Sequence, residues 1–174
     1  SAVRAAGRDV PSLCWDPRTS PGGSCRTCLV AVDGDQVVAA CTTPATEGMA
    51  VRTDHPTATE AVHGTLELLV SSLPARALDL PPERSELVPA CAASGVAGPT
   101  PDGRTGDRVD SSHPYVHFDP DLCISCGRCV RMCDEVQGTY ALTLAGRGPD
   151  TVLVAGAGDR WIDSPCVGCG GCAN

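Results

Sequence analysis

Short apolar runs separated by turn residues characterise the first part of the chain. Two such runs, residues 29–32 and 37–40, flank an Asp-Gly-Asp turn at 33–35. Runs of this length around a turn of this composition predict a β-hairpin. Residues 1–8 fit the end of a helix that stops at Gly7, because glycine readily adopts the left-handed conformation that ends helices.

A longer helical pattern begins at residue 57. Thr57 precedes Glu60 by three positions, the pattern of a capping box, in which each side chain satisfies a backbone amide at the start of a helix. The predicted helix runs to about Ser72 and ends before Pro74, which cannot continue it. The side chains expected to face the core are Ala61, Leu66, Leu69 and Val70.

Proline, glycine, aspartate and serine dominate residues 74–114, and residues 97–114 fit a surface loop. Further short elements are predicted around that loop. They are a helix at 83–95, a strand at 115–118, a helix at 127–136, and a hairpin of residues 140–144 and 151–155. Separate short helices and small antiparallel sheets define an α+β class.

The composition points to a metal-stabilised fold. The 174 residues include 12 cysteines but only two Trp, two Tyr and one Phe. Aromatic side chains normally supply much of the buried area of a core, so we expect cysteine-bound metal to help hold this one. Lysine is absent and the net charge is −8, which argues against nucleic acid or an anionic membrane surface as a partner. No apolar run approaches about 18 residues and no signal peptide is evident, so we expect no membrane span and a cytoplasmic location.

Seven cysteines fall in two tight runs, C-x2-C-x2-C-x3-C and C-x2-C-x2-C. Their members are Cys123, Cys126, Cys129 and Cys133, followed by Cys166, Cys169 and Cys172. The first spacing is that of bacterial ferredoxins, in which three thiolates of one loop bind one cluster and the fourth cysteine ligates the other cluster. Crossed ligation therefore places Cys133 with the second run, in one [4Fe–4S] site. The other [4Fe–4S] site holds the first three cysteines and needs a fourth ligand, expected beyond Asn174.

Two other interpretations of these runs are open. An even number of cysteines is compatible with a disulfide scaffold, although disulfides seldom need three cysteines within seven residues. Zinc is also bound by cysteine, although zinc sites usually pair two CxxC knuckles and have no use for a third cysteine in each run. A zinc-binding interaction module is therefore the alternative from a different functional class.

An earlier group of cysteines has the spacing C-x10-C-x2-C-x12-C. Its members are Cys14, Cys25, Cys28 and Cys41. Plant-type ferredoxins bind a [2Fe–2S] cluster through C-x4-C-x2-C followed by a distant cysteine, so this is a variant with a longer first loop. The predicted hairpin brings its last two members together, whereas scattered structural thiols are the alternative. Cys91 lies outside every pattern and fits a small buried hydrophobic residue.

The segments SLCWDPRTSPGGSCRTCLVAV and CISCGRCVRMCDEVQGTYALTLAGRG carry a family resemblance. They resemble the iron–sulfur N-terminal segment of the alpha subunit of NAD-linked molybdenum formate dehydrogenases. The same architecture occurs in NAD-reducing hydrogenases, [FeFe]-hydrogenases and the iron–sulfur subunit of complex I. The resemblance covers nearly the whole chain, and the stretch DSPCVGCGGC is most similar to the formate dehydrogenase branch.

This resemblance implies a domain organisation. A partial β-grasp [2Fe–2S] ferredoxin-like domain, whose N-terminal strands are missing, is expected at 1–56. A two-[4Fe–4S] bacterial-ferredoxin-like domain, cut before its last cysteine, is expected at 115–174. A helical segment at 57–96 and the loop at 97–114 connect them. The helical segment corresponds to a cluster site of one histidine and three cysteines in the family, but this chain has Ser72, Arg76, Asp79 and Ser85 at those positions.

The resemblance also implies the function. One [2Fe–2S] and two [4Fe–4S] clusters would carry single electrons between a molybdopterin domain and a flavin/NAD-binding subunit, both outside these residues. The segment itself is expected to hold no catalytic residue. The alternative is an iron–sulfur diaphorase subunit of an NAD-reducing hydrogenase or a complex I-like oxidoreductase.

Three arginines lie among the cysteine runs: Arg26, Arg128 and Arg131. A positive charge there is expected to stabilise a reduced, more negative cluster, while a solvated surface arginine is the alternative. Trp15 and Trp161 lie near cysteines in the sequence and are expected to shield the sites from water.

Overall fold

The computed structural model describes residues 2–98, 108–158 and 160–173. Its first sheet is built around the predicted hairpin. Strand β1 (Leu29–Val32) pairs antiparallel with β2 (Gln36–Ala39), and β3 (Val51–Arg52) pairs with the other edge of β1. The hairpin prediction is confirmed, with its second strand one residue earlier than expected. The first helix, α1 (Ala2–Ala5), is short, and Gly7 beyond it has the expected positive φ of 71°.

Helix α2 (Pro56–Ser71) is the longest element among the described residues. Pro56 occupies its first turn, where the missing amide hydrogen costs nothing, and His55 precedes it without a side-chain cap. The predicted capping box of Thr57 and Glu60 is therefore wrong, because both residues already lie inside the helix. The buried stripe consists of Ala58, Val62, Leu66 and Val70, four residues apart. Of the side chains expected inside, Ala61 is exposed and Leu69 is partly buried.

The segment after α2 contains a shorter helix than predicted. Two 3₁₀ turns, Ala75–Ala77 and Pro82–Arg84, lead into α3 (Leu87–Ser94), which ends at Gly95 in the left-handed conformation. In the predicted loop, residues 99–107 lie outside the described residues.

The strand predicted at 115–118 is wrong. Of these four residues, Phe118 alone pairs with another described residue, Asp110, in a single bridge. Tyr115 is 91% exposed, so the apolar alternation there does not correspond to one buried strand face.

The predicted helix at 127–136 exists, but it changes type along its length. Helix α4 (Arg128–Arg131) continues as a π-helix at Met132–Gln137. π-Helical turns are rare and occur frequently at functional sites, and this one contains Cys133. The second hairpin is confirmed: β4 (Leu142–Ala145) pairs antiparallel with β5 (Val152–Ala155).

The buried side chains form three clusters, each containing cysteine. One lies between α2, α3 and the loops of Cys14 and Cys25, one covers the first sheet beside Cys28, and one surrounds Trp161 and Cys133. The described residues thus form a small α+β structure in which thiols take the place of large apolar side chains. Among the described helices, none has the length and apolar character needed to cross a membrane.

Candidate metal centre

The first hairpin places two of the N-terminal cysteines together. Cys28 precedes β1 and Cys41 follows β2, so both lie at the open end of the hairpin, where the Ala40 amide donates to the Cys28 carbonyl at 3.0 Å. Burial, with the neighbouring Cys28 and Cys14, raises the pKa of the Cys41 thiol to about 11. The hairpin therefore presents two thiols to one space, as the sequence predicts.

Cys14 and Cys25 complete this group. Burial raises the pKa of the Cys14 thiol, but hydrogen bonds from Cys25 and Ser24 outweigh it, so the pKa is lowered overall. The buried Thr27 hydroxyl lies 3.1 Å from the Cys25 sulfur and accepts a hydrogen bond from the Leu13 amide at 3.3 Å. Thr27 thus ties the Cys25 loop to the chain beside Cys14. We call Cys14, Cys25, Cys28 and Cys41 the N-terminal quartet.

The loop of the first cysteine run is tightly folded. Ser125 and Gly127 have positive φ values of 56° and 69°, which turn the chain between successive cysteines. The Ser125 amide donates to the Cys123 sulfur at 3.3 Å. Burial, reinforced by the nearby thiols of Cys126 and Cys123, raises the pKa of Cys129 to about 12. These three thiols face one another, and we call their position the first-run site.

A cavity of about 670 Å³ opens at the first-run site. All three cysteines of that site line it, together with Cys172, Phe118 and Ile124. Thiols at the wall of a cavity this large, bordered by apolar side chains, leave room for a bulky inorganic group.

The second run lies close to Cys133. Burial and the neighbouring Cys166 and Cys169 raise the pKa of Cys133, and burial with the nearness of Cys133 raises the pKa of Cys172. The Gly168 amide donates to the Cys166 sulfur at 3.4 Å. The structure thus brings together the four thiols that crossed ligation predicts, which we call the second-run site. Their binding of iron remains a prediction.

The three sites are neighbours. The thiol of Cys14 contributes to the raised pKa of Cys126, after the larger effects of burial and Cys123. The thiol of Cys172 likewise contributes to the raised pKa of Cys129. The first-run site therefore adjoins both the N-terminal quartet and the second-run site.

The four positions at which the resemblance leads us to expect a histidine and three cysteines make other contacts here. Ser72 donates its hydroxyl to the Leu69 carbonyl at the end of α2, and the Ser85 hydroxyl accepts from the Val88 amide at the start of α3. Arg76 forms an ion pair with Asp119 at 3.0 Å. The fourth position, Asp79, is exposed.

The sequence reasoning missed Asp16, a carboxylate beside the N-terminal quartet. It is buried, and the Arg18 guanidinium holds it with two hydrogen bonds at 2.8 and 2.9 Å, while Arg128 lies 3.7 Å away. Hydrogen bonding to Arg18 holds the pKa of Asp16 well below its usual range. An arginine two residues after an acid is the available signal in the sequence, and it is a weak one.

The donor set fits iron–sulfur clusters. All twelve cysteines lie among the described residues, and none of them forms a disulfide. Cys91 is buried in the core between α2 and α3, where burial raises its pKa, as expected of a structural thiol. Within the described ranges, no three histidine, cysteine or acidic side chains converge closely enough to hold a single metal ion. The other eleven thiols stand in groups of four, three and four, and such all-thiolate groups bind [2Fe–2S] and [4Fe–4S] clusters.

The comparisons with known proteins agree with this donor set. Residues 1–56 match a family described as "2Fe-2S iron-sulfur cluster binding domain", and residues 113–169 match "NADH-quinone oxidoreductase subunit 3, ferredoxin-like domain". A chain in the crystal structure of NAD+-reducing [NiFe]-hydrogenase in the H2-reduced state is 34% identical, with a TM-score of 0.79. The match covers 94% of this chain and 70% of that chain. This chain belongs to the iron–sulfur family shared by NADH-quinone oxidoreductases and NAD-reducing hydrogenases.

Longer proteins of the same family also match most of this chain. NADPH-Fe(3+) oxidoreductase subunit alpha of Geobacter sulfurreducens is 30% identical over 98% of this chain. The mitochondrial NADH dehydrogenase [ubiquinone] iron-sulfur protein 1 of Solanum tuberosum is 36% identical over 84% of this chain. The matched region spans 20% of the length of each of these relatives. The comparisons confirm the prediction that the chain is an iron–sulfur, ferredoxin-like electron-transfer segment of an oxidoreductase.

Proposed function

We propose that the chain holds one [2Fe–2S] cluster in the N-terminal quartet and one [4Fe–4S] cluster in each of the other two sites, and serves as a one-electron relay. The nearness of the three thiol groups carries this proposal. Cys172 of the second-run site lines the cavity of the first-run site, and one arginine, Arg131, bonds the carbonyls of Cys126 and of Cys14 in the N-terminal quartet. When bound, such clusters supply reversible one-electron chemistry whose potential depends on burial, charge and hydrogen bonds. The first-run site supplies three thiols, and a [4Fe–4S] cluster there takes one further ligand.

The chain's own residues bind the clusters, fix the ligand loops and keep water away. The eleven thiols ligate, and the Ser125 and Gly168 amides donate to ligand sulfurs. Trp161 and Phe118 pack with ring centroids 4.8 Å apart and keep water from the second-run site. Asp16, held by Arg18, fixes the loop that follows Cys14.

We further propose that the other end of the relay is a molybdopterin site that oxidises formate, and that a flavin/NAD-binding subunit is the partner. The resemblance of the DSPCVGCGGC stretch to formate dehydrogenases supports this assignment, as does the retention of both tight cysteine runs. On this proposal the domains are those at 1–56, 57–96, 97–114 and 115–174, and the cluster of the helical segment is lost. The hydrogen bonds of Ser72 and Ser85 and the ion pair of Arg76 support that loss.

The second candidate is the diaphorase of an NAD-reducing hydrogenase. The hydrogenase chain supports it, because the two chains are 34% identical over 94% of this chain, with a TM-score of 0.79. Metal analysis and substrate-dependent NAD+ reduction by the intact complex separate the two. Molybdenum with formate-dependent activity supports the first candidate, and nickel with hydrogen-dependent activity supports the second.

Iron and acid-labile sulfide in the anaerobically purified complex test the relay itself. We expect about ten irons beyond those of the partner subunits, with one [2Fe–2S] and two [4Fe–4S] signals in low-temperature EPR after dithionite reduction. About fourteen irons would show that the helical segment keeps a cluster. Stoichiometric zinc without iron would overturn the electron-transfer function and support the zinc-binding module.

A further inference from the structure

Arg131 connects the two halves of the chain. It is the last residue of α4, between Cys129 and Cys133, yet its guanidinium reaches the loop that follows Cys14. One terminal nitrogen, Nη2, donates to the Cys14 carbonyl, and Nη1 donates to the Cys126 carbonyl at 3.3 Å. A single side chain therefore bonds the backbone of a ligand in the N-terminal quartet and of a ligand in the first-run site.

The loop of the N-terminal quartet is shaped to admit this guanidinium. A Cβ atom built on Gly22 would lie 2.5 Å from Nη1 and 3.0 Å from Cζ of Arg131, closer than non-bonded atoms approach. Gly22 does not have a positive φ, so glycine serves here to leave room for the guanidinium, which a Cβ would push aside. The Nε atom of Arg131 also lies 3.5 Å from the Thr19 hydroxyl. The arginine is thus enclosed by the loop.

Other contacts across the same interface support the placement. The Ser20 amide donates to the Glu135 carboxylate at 2.6 Å, the Ser24 hydroxyl donates to the Cys126 carbonyl at 3.4 Å, and Arg18 donates to the Gly171 carbonyl at 3.2 Å. Ser24 also bonds ligand residues on both sides, since it hydrogen-bonds the Cys14 thiol as well, but Arg131 does so with a charged side chain.

The charge of Arg131 is not neutralised by an ion pair with any described carboxylate. The neighbouring Arg128, in contrast, pairs with Glu86 at 2.9 Å and lies 3.7 Å from Asp16. A cation without a carboxylate partner, bonded to two ligand carbonyls, favours the more negative, reduced state of a group bound at either site.

We propose that Arg131 is a positioning residue that holds the N-terminal quartet against the first-run site and raises the midpoint potential of the clusters at both. This inference rests on the proposed relay function. The transfer it serves moves one electron from one site to the other, with no bond made or broken and no proton moved, and NADH or dithionite supplies the electron. The planar fork of arginine can bond two carbonyls at once, whereas a lysine ammonium supplies the charge from a single point.

EPR-monitored redox titration of the intact complex tests the proposal with three variants. Arg131→Gln removes the charge, Arg131→Lys keeps the charge without the fork, and Gly22→Ala displaces the guanidinium from the loop. We expect Arg131→Gln to lower the reduced-to-oxidised ratio of both clusters about tenfold at a fixed potential, equivalent to ~59 mV for a one-electron couple. Gly22→Ala shifts the same two clusters in the same direction by a smaller factor. Arg131→Lys shifts them least but slows the equilibration of electrons between them.

Arg52→Gln is the matched control. Arg52 donates to the Gly34 carbonyl at 2.8 Å and to Asp35 at 3.2 Å, at the turn of the hairpin opposite Cys28 and Cys41. We expect the control to leave all potentials unchanged, and the second-run cluster to stay unchanged in every variant.

Two results would overturn the role of Arg131. Reduced-to-oxidised ratios of both clusters within about twofold of wild type in Arg131→Gln would do so, as would an equal shift of all three clusters. Failure of the relay proposal looks different, because wild-type protein would then show no iron–sulfur signals at all. Iron content equal to wild type in each variant shows that the fold and the ligands are intact.

Discussion

The guanidinium of Arg76 binds both carboxylate oxygens of Asp119. Its Nη2 atom lies 3.1 and 3.0 Å from the two oxygens, and Nε lies 3.3 Å from one of them. Arg76 also lies 3.8 Å from Asp121, a fully buried acid that Arg108 holds at 2.6 Å. The segment after α2 is thereby joined to the turn that leads into Cys123.

We expect Arg76→Ala to loosen this junction. The Arg76 side chain is 42% exposed, so the pair contributes at most ~1 kcal/mol, which corresponds to about a fivefold faster loss of clusters. Visible absorbance followed over time at a fixed urea concentration measures this rate. Asp119→Asn gives a similar effect, and the two effects together are less than additive, because both variants remove the Arg76–Asp119 contact.

Arg84→Ala is the control for this measurement, because it removes an exposed arginine in the neighbouring 3₁₀ turn. A loss rate for Arg76→Ala equal to that of the control would contradict a stabilising role for the pair. Strictly additive effects of Arg76→Ala and Asp119→Asn would show that the two residues act independently.

The sequence predicts the elements whose signals are local. Both hairpins and the two tight cysteine runs follow from runs of a few residues, and the structure forms the hairpins within about two residues of the predicted limits. The grouping of Cys133 with the second run also follows from spacing alone, because the helix after the first run carries its fourth cysteine away from the loop.

The features that the sequence misses depend on distant parts of the chain. Arg131 and Cys14 are 117 positions apart, so no local sequence pattern predicts their contact. The start of α2 differs from the prediction because the capping pattern of Thr57 competes with Pro56, whose fixed φ begins the helix two residues earlier. The segment 115–118 has the apolar residues of a strand but lacks a described pairing partner beyond the single bridge at Phe118.

Substitution of Cys133 tests crossed ligation. We expect Cys133→Ser to abolish or weaken the EPR signal of the second-run cluster, because its thiol lies with Cys166, Cys169 and Cys172. The first-run cluster keeps its signal. EPR of the reduced variant in the intact complex, with iron counted in parallel, gives the answer.

Cys91→Ala is the matched control, since it removes an equally buried thiol that packs between α2 and α3. We expect it to leave all three cluster signals in place. Loss of the first-run cluster in Cys133→Ser, with the second-run cluster intact, would show that each run ligates its own cluster.

Removal of iron is expected to unfold most of the chain. All three buried clusters of side chains contain cysteines assigned to ligation. Burial raises the pKa of the partly buried Cys126 and Cys129 and of the buried Cys133, because it disfavours the charged thiolate. Without metal, little apolar area remains to hold the loops. Circular dichroism of the 174-residue chain should lose its cooperative thermal transition after anaerobic chelation, and adding iron and sulfide should restore it. Matching melting curves before and after chelation would refute this.

Trp161 gives a test of the second-run site that separates packing from hydrogen bonding. Its side chain is 3% exposed and packs with Cys133, Cys166 and Cys172, and its indole Nε1 has no hydrogen-bond partner among the described residues. An unpartnered buried N–H is costly, so we expect this one to donate to sulfur of the bound cluster, which raises the cluster's potential.

Trp161→Phe keeps most of the ring and removes the donor. We expect it to retain the second-run cluster while lowering its midpoint potential, since the hydrogen bond favours the reduced state. Trp161→Ala leaves a cavity beside Leu142 and Ala155, costs about 3–5 kcal/mol and should lose the cluster. EPR redox titration of both variants decides the matter. An unchanged potential in Trp161→Phe, with the cluster intact, would mean that the indole only packs against the site.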